Sequence, residues 1–388
     1  MRICLVYDHL FPQTVGGAER WMRDLALRLA ASGHDVTYLT MRHWEREAPE
    51  LPGVHILGLT RPGDVYAEGR RTLMPPLRFG LAVARHLHAH GARYDVVHLA
   101  SFPYFPVLAA AVLRRRRGYE LVVDWIEIWT RAYWRRYAGA AVGSVGWRVQ
   151  RACVRVRHRA HCLSQLHARR LVEAGYEGTP VILPGLYAGS VAPTLAEHVD
   201  PTLVVYAGRH VREKRVDSLV RGFAVAHAND PRLRLELYGD GPDRARVETL
   251  VGALGLDGAV RHLGRRPEEE VAAAIARAGC LATASEREGY GLVVVEAAAH
   301  GTPSVVVAGS ENAATELLED GVNGVVSPDH SAEALGAALA RTIAAGPALR
   351  ESTARWFAKN APRLTIDASL DVVADTYAAA AAVRSARR

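Results

Sequence analysis

SEREGYGLVVVEAAAHGTPSVVV, residues 285–307, is the stretch from which the rest of this chain can be read. CLATAS (280–285), just before it, is apolar and short enough for a buried strand. Gly289 and Gly291 then allow a tight loop. LVVVEAAAHG (292–301) reads as a helix that stops at Gly301, with Pro303 beyond it. SVVV resumes a strand. One carboxylate, Glu288, falls in the loop, and a second, Glu296, falls five residues past Gly291. At the helical rise this places Glu296 roughly 7–8 Å along the helix. The N-terminus of a helix favours a phosphate through its free N–H groups and positive dipole end. Carboxylates on either side accept hydrogen bonds from sugar hydroxyls. The ligand this suggests is a nucleotide-sugar.

Outward from that segment, strands alternate with helices in both directions, as in parallel sheets. In the first half the strands are RICLVYD (2–8), HDVTYLT (34–40), VHILGL (54–59), YDVVHLA (94–100), ELVVDW (120–125), AHCLSQ (160–165) and PVILPG (180–185). The helices between them are expected at 18–33, 75–91, 106–116 and 143–159. In the last of these, Val145, Val149, Ala152, Cys153, Val156 and Ala160 would form the apolar face, with Arg148, Arg151, Arg155 and Arg159 opposite. Residues 186–201 lack periodicity and read as a linker. The alternation restarts with TLVVYAG (202–208) and runs through VDSLVRGFAVAHA (216–228), LRLELYGDGP (233–242), DRARVETLVGALG (243–255), VRHLG (260–264) and PEEEVAAAIARAG (267–279). NGVVSP (323–328) and helices at 331–345, 349–359 and 366–383 follow. The expected architecture is α/β: two doubly wound, Rossmann-like domains facing each other across a cleft, spanning 1–190 and 191–365. A last helix, about 366–388, is expected to pack back on the first domain. Such sheets bind ligands at the carboxyl ends of their strands.

The chain has 388 residues, enough for two domains. Its 49% hydrophobic and 23% charged content is that of a globular protein, and no apolar run is long enough for a membrane span. The N-terminus, MRICLVYDHLF, reads as a first buried strand and not a signal peptide. Cys4, Cys153, Cys162 and Cys280 are scattered, as expected of buried thiols in the cytoplasm. The net charge of +7 is concentrated in RRRR (114–117) and in the ten arginines between Arg131 and Arg170. Solvated helix faces account for it. So would attraction to phosphorylated ligands or to the inner face of an anionic membrane, a peripheral contact. No nucleic-acid partner is expected.

Four places sit where this architecture puts ligands. Gly16 and Gly17, in YDHLFPQTVGGAER (7–20), immediately precede a helix and would let backbone approach a phosphate. Arg209 lies just past a strand in YAGRHVREKRVDSLV (206–220), with Lys214 five residues on. A planar fork of donors and a compact point charge can together neutralise a diphosphate. Each contact carries about 4 kcal/mol of raw Coulomb energy at 4 Å for an effective dielectric near 20, before desolvation. The third place is the glutamate segment. The fourth is VVDWIEIWTRAYW (122–134), where Asp124, Glu127, Trp125 and Trp129 suit an acceptor sugar or a ring-containing substrate, with Trp packing as the plainer reading. His9, after the first strand, is a further acceptor-side candidate.

Taken together these stretches resemble glycosyltransferase family 4, the retaining GT-B enzymes that use nucleotide-sugars. The likeness is carried by the glycine pair, by Arg209 and Lys214 after the linker, by YGDGP (238–242), by ENAATELLEDGVNGVV (311–326), and by Glu288 and Glu296 with seven residues between them. It spans nearly the whole chain and is strongest over 203–328. The resemblance implies backbone contacts to donor phosphates at Gly16 and Gly17. It puts Arg209 and Lys214 on the diphosphate, and Glu288 on the transferred sugar, helped by N–H groups around Gly289, Tyr290, Gly291 and Leu292. Glu296 would take the ribose, with Gly239 and His262 among the donor contacts. The donor would be a UDP- or GDP-sugar, with no cofactor and no metal; no D-x-D occurs in the chain. The acceptor would be a glycan, a lipid or a small natural product. One departure stands out. Ile126 lies where many members carry a strand-end histidine, which leaves Asp124, Glu127 or a backbone carbonyl for that work. A GT-B nucleotide-sugar epimerase and a non-catalytic nucleotide-sugar-binding protein are the alternatives.

Overall fold

The computed structural model describes residues 1–14, 16–63, 66–67, 70–71 and 74–385. The chain forms two compact units, Met1–Leu186 with Ile366–Arg388, and Tyr187–Thr365.

The first unit begins with β1 (Arg2–Val6), α1 (Gly17–Ala31), β2 (Asp35–Met41), β3 (Val54–Thr60) and the short pair β4 (Tyr66–Ala67) and β5 (Arg70–Arg71). It continues through α2 (Met74–His90), β6 (Val96–Ala100), α3 (Tyr104–Arg117), β7 (Glu120–Trp125), α4 (Arg131–Ala138), α5 (Ala140–Arg155), β8 (Arg159–Cys162), α6 (Gln165–Glu173) and β9 (Val181–Ile182). Its sheet is parallel, in the order β3-β2-β1-β6-β7-β8-β9. The chain winds outward from β1 and returns beside it at β6, so the topological switch lies between those strands. Central strands such as β6 are buried along their whole length, which is why they read as continuous apolar runs.

The second unit is built from β10 (Asp200–Ala207), α7 (Val216–Asn229), β11 (Arg234–Tyr238), α8 (Arg244–Ala253), β12 (Val260–Gly264), α9 (Glu268–Arg277) and β13 (Ala278–Thr283). It is completed by α10 (Leu292–Ala299), β14 (Ser304–Val307), β15 (Gly324–Ser327) and α11 (Ala332–Leu364). The parallel sheet has the order β12-β11-β10-β13-β14-β15, with its switch between β10 and β13. α7 crosses α11 at glycines: a Cβ on Gly222 would lie 2.4 Å from Leu335 Cβ, and one on Gly336 would lie 2.8 Å from Val225 Cβ. The two helical stretches expected at 331–345 and 349–359 lie in α11, interrupted at Gly346, where φ is +50°.

α12 (Ile366–Ser385) belongs to the first unit. It is bound there by the Arg28–Asp367 ion pair and by Ser369, whose Oγ accepts from Gly185 N at 3.0 Å. Residues 386–388 of the helix expected at 366–388 lie outside the described residues. Among the described residues, no helix is long and apolar enough to cross a membrane.

α5 differs from the sequence expectation. It ends at Arg155, and Arg159 opens β8 instead of closing the helix. Its buried positions are Gly143, Gln150, Cys153 and Val154, while Val145 is 53% exposed. Where α5 meets α4, glycines make the contact. A Cβ on Gly143 would lie 2.3 Å from the Trp134 carbonyl oxygen, and one on Gly146 would lie 2.5 Å from the Trp134 ring. α4 and α6 were not expected as separate helices. Each begins at a hydroxyl cap: Thr130 Oγ1 accepts from Tyr133 N, and Ser164 Oγ accepts from His167 N.

Candidate active site

The loop after β13 and the loop after β10 flank the switch of the second sheet, and they meet. β13 ends at Thr283, whose hydroxyl lies 2.9 Å from Ser285 Oγ. Ser285 donates to Glu288 Oε1 at 2.8 Å. Lys214, from the other loop, donates to the same carboxylate oxygen. Glu288 is also pinned by its backbone: its N–H donates to Glu311 O at 3.2 Å, and its carbonyl accepts from Ala313 N at 3.0 Å. Buried Asn312 closes this arrangement by donating to the carbonyls of Ser285 (3.1 Å) and Val307 (2.9 Å). Gly291 then turns the chain into α10 with φ +100°. A side chain there would be strained, and its Cβ would stand 2.5 Å from Ala314 Cβ. No side chain caps α10; the Val294 N–H turns back to Gly291 O at 2.9 Å, which leaves the N–H groups of Leu292 and Val293 at the helix start for an anion. Tyr290 is buried in the loop and Leu292 is partly buried.

Glu296 is partly buried on α10. Its charge reaches Tyr187, whose phenol is pushed up by burial and then by Glu296. On the facing loop Arg209 is exposed, and its carbonyl accepts from Tyr206 OH at 2.8 Å. The Tyr206 phenol is driven far up by burial, further by Glu288, and is opposed by Arg209. Tyr206 thus feels both the carboxylate and the guanidinium.

Gly239 follows the end of β11, and His262 lies on neighbouring β12. Gly239, at φ +113°, lets its loop press on Gly208, where a Cβ would come within 1.9 Å of the carbonyl oxygen. Its own N–H is spent on Gly264 O at 2.8 Å, which removes it as a backbone donor to a phosphate. His262 faces buried His210, with ring centroids 6.5 Å apart. Burial lowers the pKa of both, chiefly by desolvation, and neither ring has a hydrogen-bond partner.

In the first unit Gly16 caps α1 in an extended conformation. The Glu19 carboxylate presses on it, since a Cβ on Gly16 would lie 2.3 Å from Glu19 Oε2, whereas Gly17 has open space. His9 is buried, its carbonyl accepting from Tyr38 OH at 3.1 Å and its ring against His43 at 5.2 Å. Glu127 and Trp129 are partly exposed and joined, Trp129 Nε1 donating to Glu127 at 2.9 Å.

Asp124 and Trp125 need correcting as substrate-facing residues, because both are fully buried. Asp124 Oδ1 accepts from His98 Nε2 at 2.6 Å and from His161 Nδ1 at 3.1 Å, and Oδ2 accepts from Trp21 Nε1 at 2.6 Å. Tyr377 OH donates to His98 Nδ1 at 2.7 Å, and His161 Nε2 lies 3.0 Å from Thr376 Oγ1, both partners on α12. Desolvation, the largest single effect, pushes the Asp124 carboxyl up, but His98 and His161 together outweigh it and hold the group below its usual range. Trp125 Nε1 donates to His158 Nε2 at 2.8 Å. His98, Asp124 and His161 are the one metal-like grouping among the described residues. Two ligands on a tetrahedral zinc, each bonded at 2.0–2.1 Å, would sit roughly 3.3 Å apart. The 2.6 Å contact is a hydrogen bond, and the remaining ring nitrogens are engaged with α12. The group is a hydrogen-bond hub that ties β6, β7, β8, α1 and α12 together. A cavity of about 410 Å³ lined by Pro49, Leu51, Pro52 and Val54 touches none of the candidate residues.

Residues 192–362 match the model described as Glycosyl transferases group 1, and residues 15–186 match Glycosyltransferase Family 4. The chain is 33% identical over 144 residues to an exopolysaccharide phosphotransferase of Streptomyces coelicolor, covering 36% of this chain and 15% of that protein. It is 30% identical over 231 residues to a D-inositol 3-phosphate glycosyltransferase of Saccharomonospora viridis, covering 54% and 53%. The chain thus spans about half or less of the length of these curated relatives. The structure of the Anabaena protein HepE in complex with UDP aligns over 98% of this chain and 100% of that one, at 18% identity and a TM-score of 0.75.

Proposed function

We propose a sugar-transfer reaction for this chain, which belongs to glycosyltransferase family 4 and has the GT-B fold. In this reading a sugar passes from a UDP- or GDP-sugar to a hydroxyl of a glycan, lipid or small-molecule acceptor, with retention of configuration. The observation that carries it is the meeting of Lys214 and Glu288 at the switch point of the second sheet, beside the uncapped N-terminus of α10. Relatives named as glycosyltransferases and a structural neighbour holding UDP support it.

Arg209 and Lys214 meet the diphosphate, the first turn of α10 adds N–H donors, Glu288 receives hydroxyls of the transferred sugar, and Glu296 receives the ribose. The bond from the anomeric carbon to the phosphate oxygen breaks toward this positive region. The acceptor oxygen bonds to the same carbon from the same face, and its proton leaves on the departing diphosphate. The protein supplies position and fixed positive charge where negative charge grows, and no strong base is required of it. Glu288 and Glu296 act in binding, so a two-carboxylate hydrolytic pair does not describe them.

The test is a thermal-shift panel of UDP- and GDP-sugars, followed by assay of nucleotide release with and without candidate acceptors. Release of nucleoside diphosphate only with an acceptor supports transfer. Interconversion of the sugar without release supports an epimerase, and binding without turnover a binding protein.

Peripheral contact with an anionic membrane is a second reading, favoured by α5. Val142 and Val145 are 48% and 53% exposed on a helix whose Arg148 and Arg155 are also exposed. Sedimentation with anionic vesicles, lost at high salt or in Arg148→Glu, would support it; no sedimentation would remove it.

A further inference from the structure

Arg215 stands where the loop after β10 enters α7. Among the described residues it is the one non-glycine at positive φ (+47°). The left-handed region costs an ordinary L-residue on the order of 1–2 kcal/mol, a strain that marks a conformation fixed by its surroundings. Those surroundings are specific. Arg215 Nη1 lies 3.6 Å from Glu286 Oε2, Nε lies 3.9 Å from Asp217 Oδ1, and Nη2 donates to Ser218 Oγ at 3.1 Å.

Glu286 is two residues before Glu288, and the neighbours of Arg215 reach the same strip. Glu286 N donates to Glu213 O at 2.8 Å. The Glu213 carboxylate lies 3.9 Å from Arg287 Nη2, and Lys214 pairs with Glu288. Three consecutive residues on one loop, Glu213, Lys214 and Arg215, therefore face three on the other, Glu286, Arg287 and Glu288, with every facing pair opposite in charge. Lys214 lies between two fixed neighbours. Arg215, in its left-handed conformation, is the N-cap from which α7 starts at Val216.

We propose that Arg215 is a positioning residue for the donor site. Through Glu286 it locks the loop that carries Arg209 and Lys214 to the loop that carries Glu288, so that the diphosphate and sugar contacts are held at a fixed separation before the donor arrives. The proposal rests on the sugar-transfer reading. Arg215 itself need not touch the donor.

Two substitutions separate its parts. Arg215→Gly keeps the left-handed backbone without strain and deletes the guanidinium, and Arg215→Lys keeps a charge. UDP and GDP are titrated into the full chain by calorimetry, with melting temperatures recorded in parallel. Relief of strain offsets loss of the ion pairs, so Arg215→Gly should melt within a few degrees of the unaltered protein. It should bind the preferred nucleotide at least fivefold more weakly, and Arg215→Lys should recover most of that loss. Glu286→Gln leaves the Arg215 backbone alone and should weaken binding similarly, which covers the case in which Arg215→Gly does not fold. Binding within twofold of the unaltered protein in both Arg215→Gly and Glu286→Gln would overturn the positioning role while leaving the donor-site reading intact. If the unaltered protein binds neither UDP nor GDP, the donor-site reading fails and this inference fails with it.

Discussion

Lys214 and Glu288, 74 residues apart in sequence, form an ion pair on a carboxylate oxygen that also accepts from Ser285. Both side chains are mostly shielded from water, at 20% and 14% exposure, so the pair feels an environment less screened than the open surface. A cation for phosphate and an acceptor for hydroxyls thus stand in contact, each holding the other in place.

Arg209 is the group whose loss should separate chemistry from binding. Arg209→Ala should lower kcat by on the order of 10²–10³-fold, with acceptor KM changed little, because charge on the leaving diphosphate is greatest in the transition state. Steady-state kinetics with saturating donor is the check. Equal loss of donor binding with unchanged kcat would contradict the leaving-group role.

Ser285 should act through Glu288. Ser285→Ala removes one hydrogen bond to a charged group, worth about 1.5–3 kcal/mol at most. Donor kcat/KM should fall roughly tenfold, while the melting temperature stays close to that of the unaltered protein. Sugars lacking the hydroxyl that meets Glu288 should be affected less, and a uniform loss across all donors would argue for a general effect on the loop.

Asp124 should prove structural. Asp124→Ala orphans the donors of His98, His161 and Trp21 inside the core, and breaking such a buried charged network costs about 3–5 kcal/mol. Denaturant unfolding should register that loss. The fraction that remains folded should keep its donor affinity, measured on protein purified as monodisperse. Loss of donor binding at unchanged stability would return Asp124 to the site.

Stability should fall as the medium is acidified from pH 6.5 toward 4. His158 is nearly buried, accepts from Trp125 Nε1 on one nitrogen and donates to Val156 O at 2.6 Å from the other. Desolvation pushes its pKa down to about 4 from 6.5. Above pH 6.5 the ring is neutral in folded and unfolded chains alike, and the full stability is present. Below 6.5 the unfolded chain takes up a proton that the folded one refuses until about pH 4, which costs about 3 kcal/mol across the window. His161 shifts the same way, and Asp124, held low, adds a further loss below pH 3.8. Melting temperature against pH in the unaltered protein and in His158→Gln should show a shallower slope for the variant.

The alternation of strand and helix, the loop between β13 and α10, and the two-unit α/β class are written in local pattern. Buried parallel strands must be apolar along their length, and glycines must stand where a loop turns tightly. Such signals are carried by neighbours in the chain, so RICLVYD and CLATAS could be read one at a time. The same pattern misled at α5, because it counts Val145 as a core residue and gives no weight to Gly143 and Gly146, whose lack of a Cβ is what lets α5 meet Trp134.

Tertiary structure alone decided what each polar residue faces. Asp124 and Glu127 lie three positions apart and look alike in sequence, yet one is sealed among His98, His161 and Trp21 while the other remains partly exposed beside Trp129. The partners of Asp124 are 26, 37 and 103 residues away. Gly239 has the glycine-rich context of a phosphate loop, but its N–H is committed to Gly264. The opposed charges of residues 213–215 and 286–288 come together only because β10 and β13 are neighbours in the sheet. Sequence by itself determined the elements and the chemistry available at their ends. Which of those groups desolvate one another and which remain for a ligand depends on strand order, because burial and pairing are properties of contacts between distant segments.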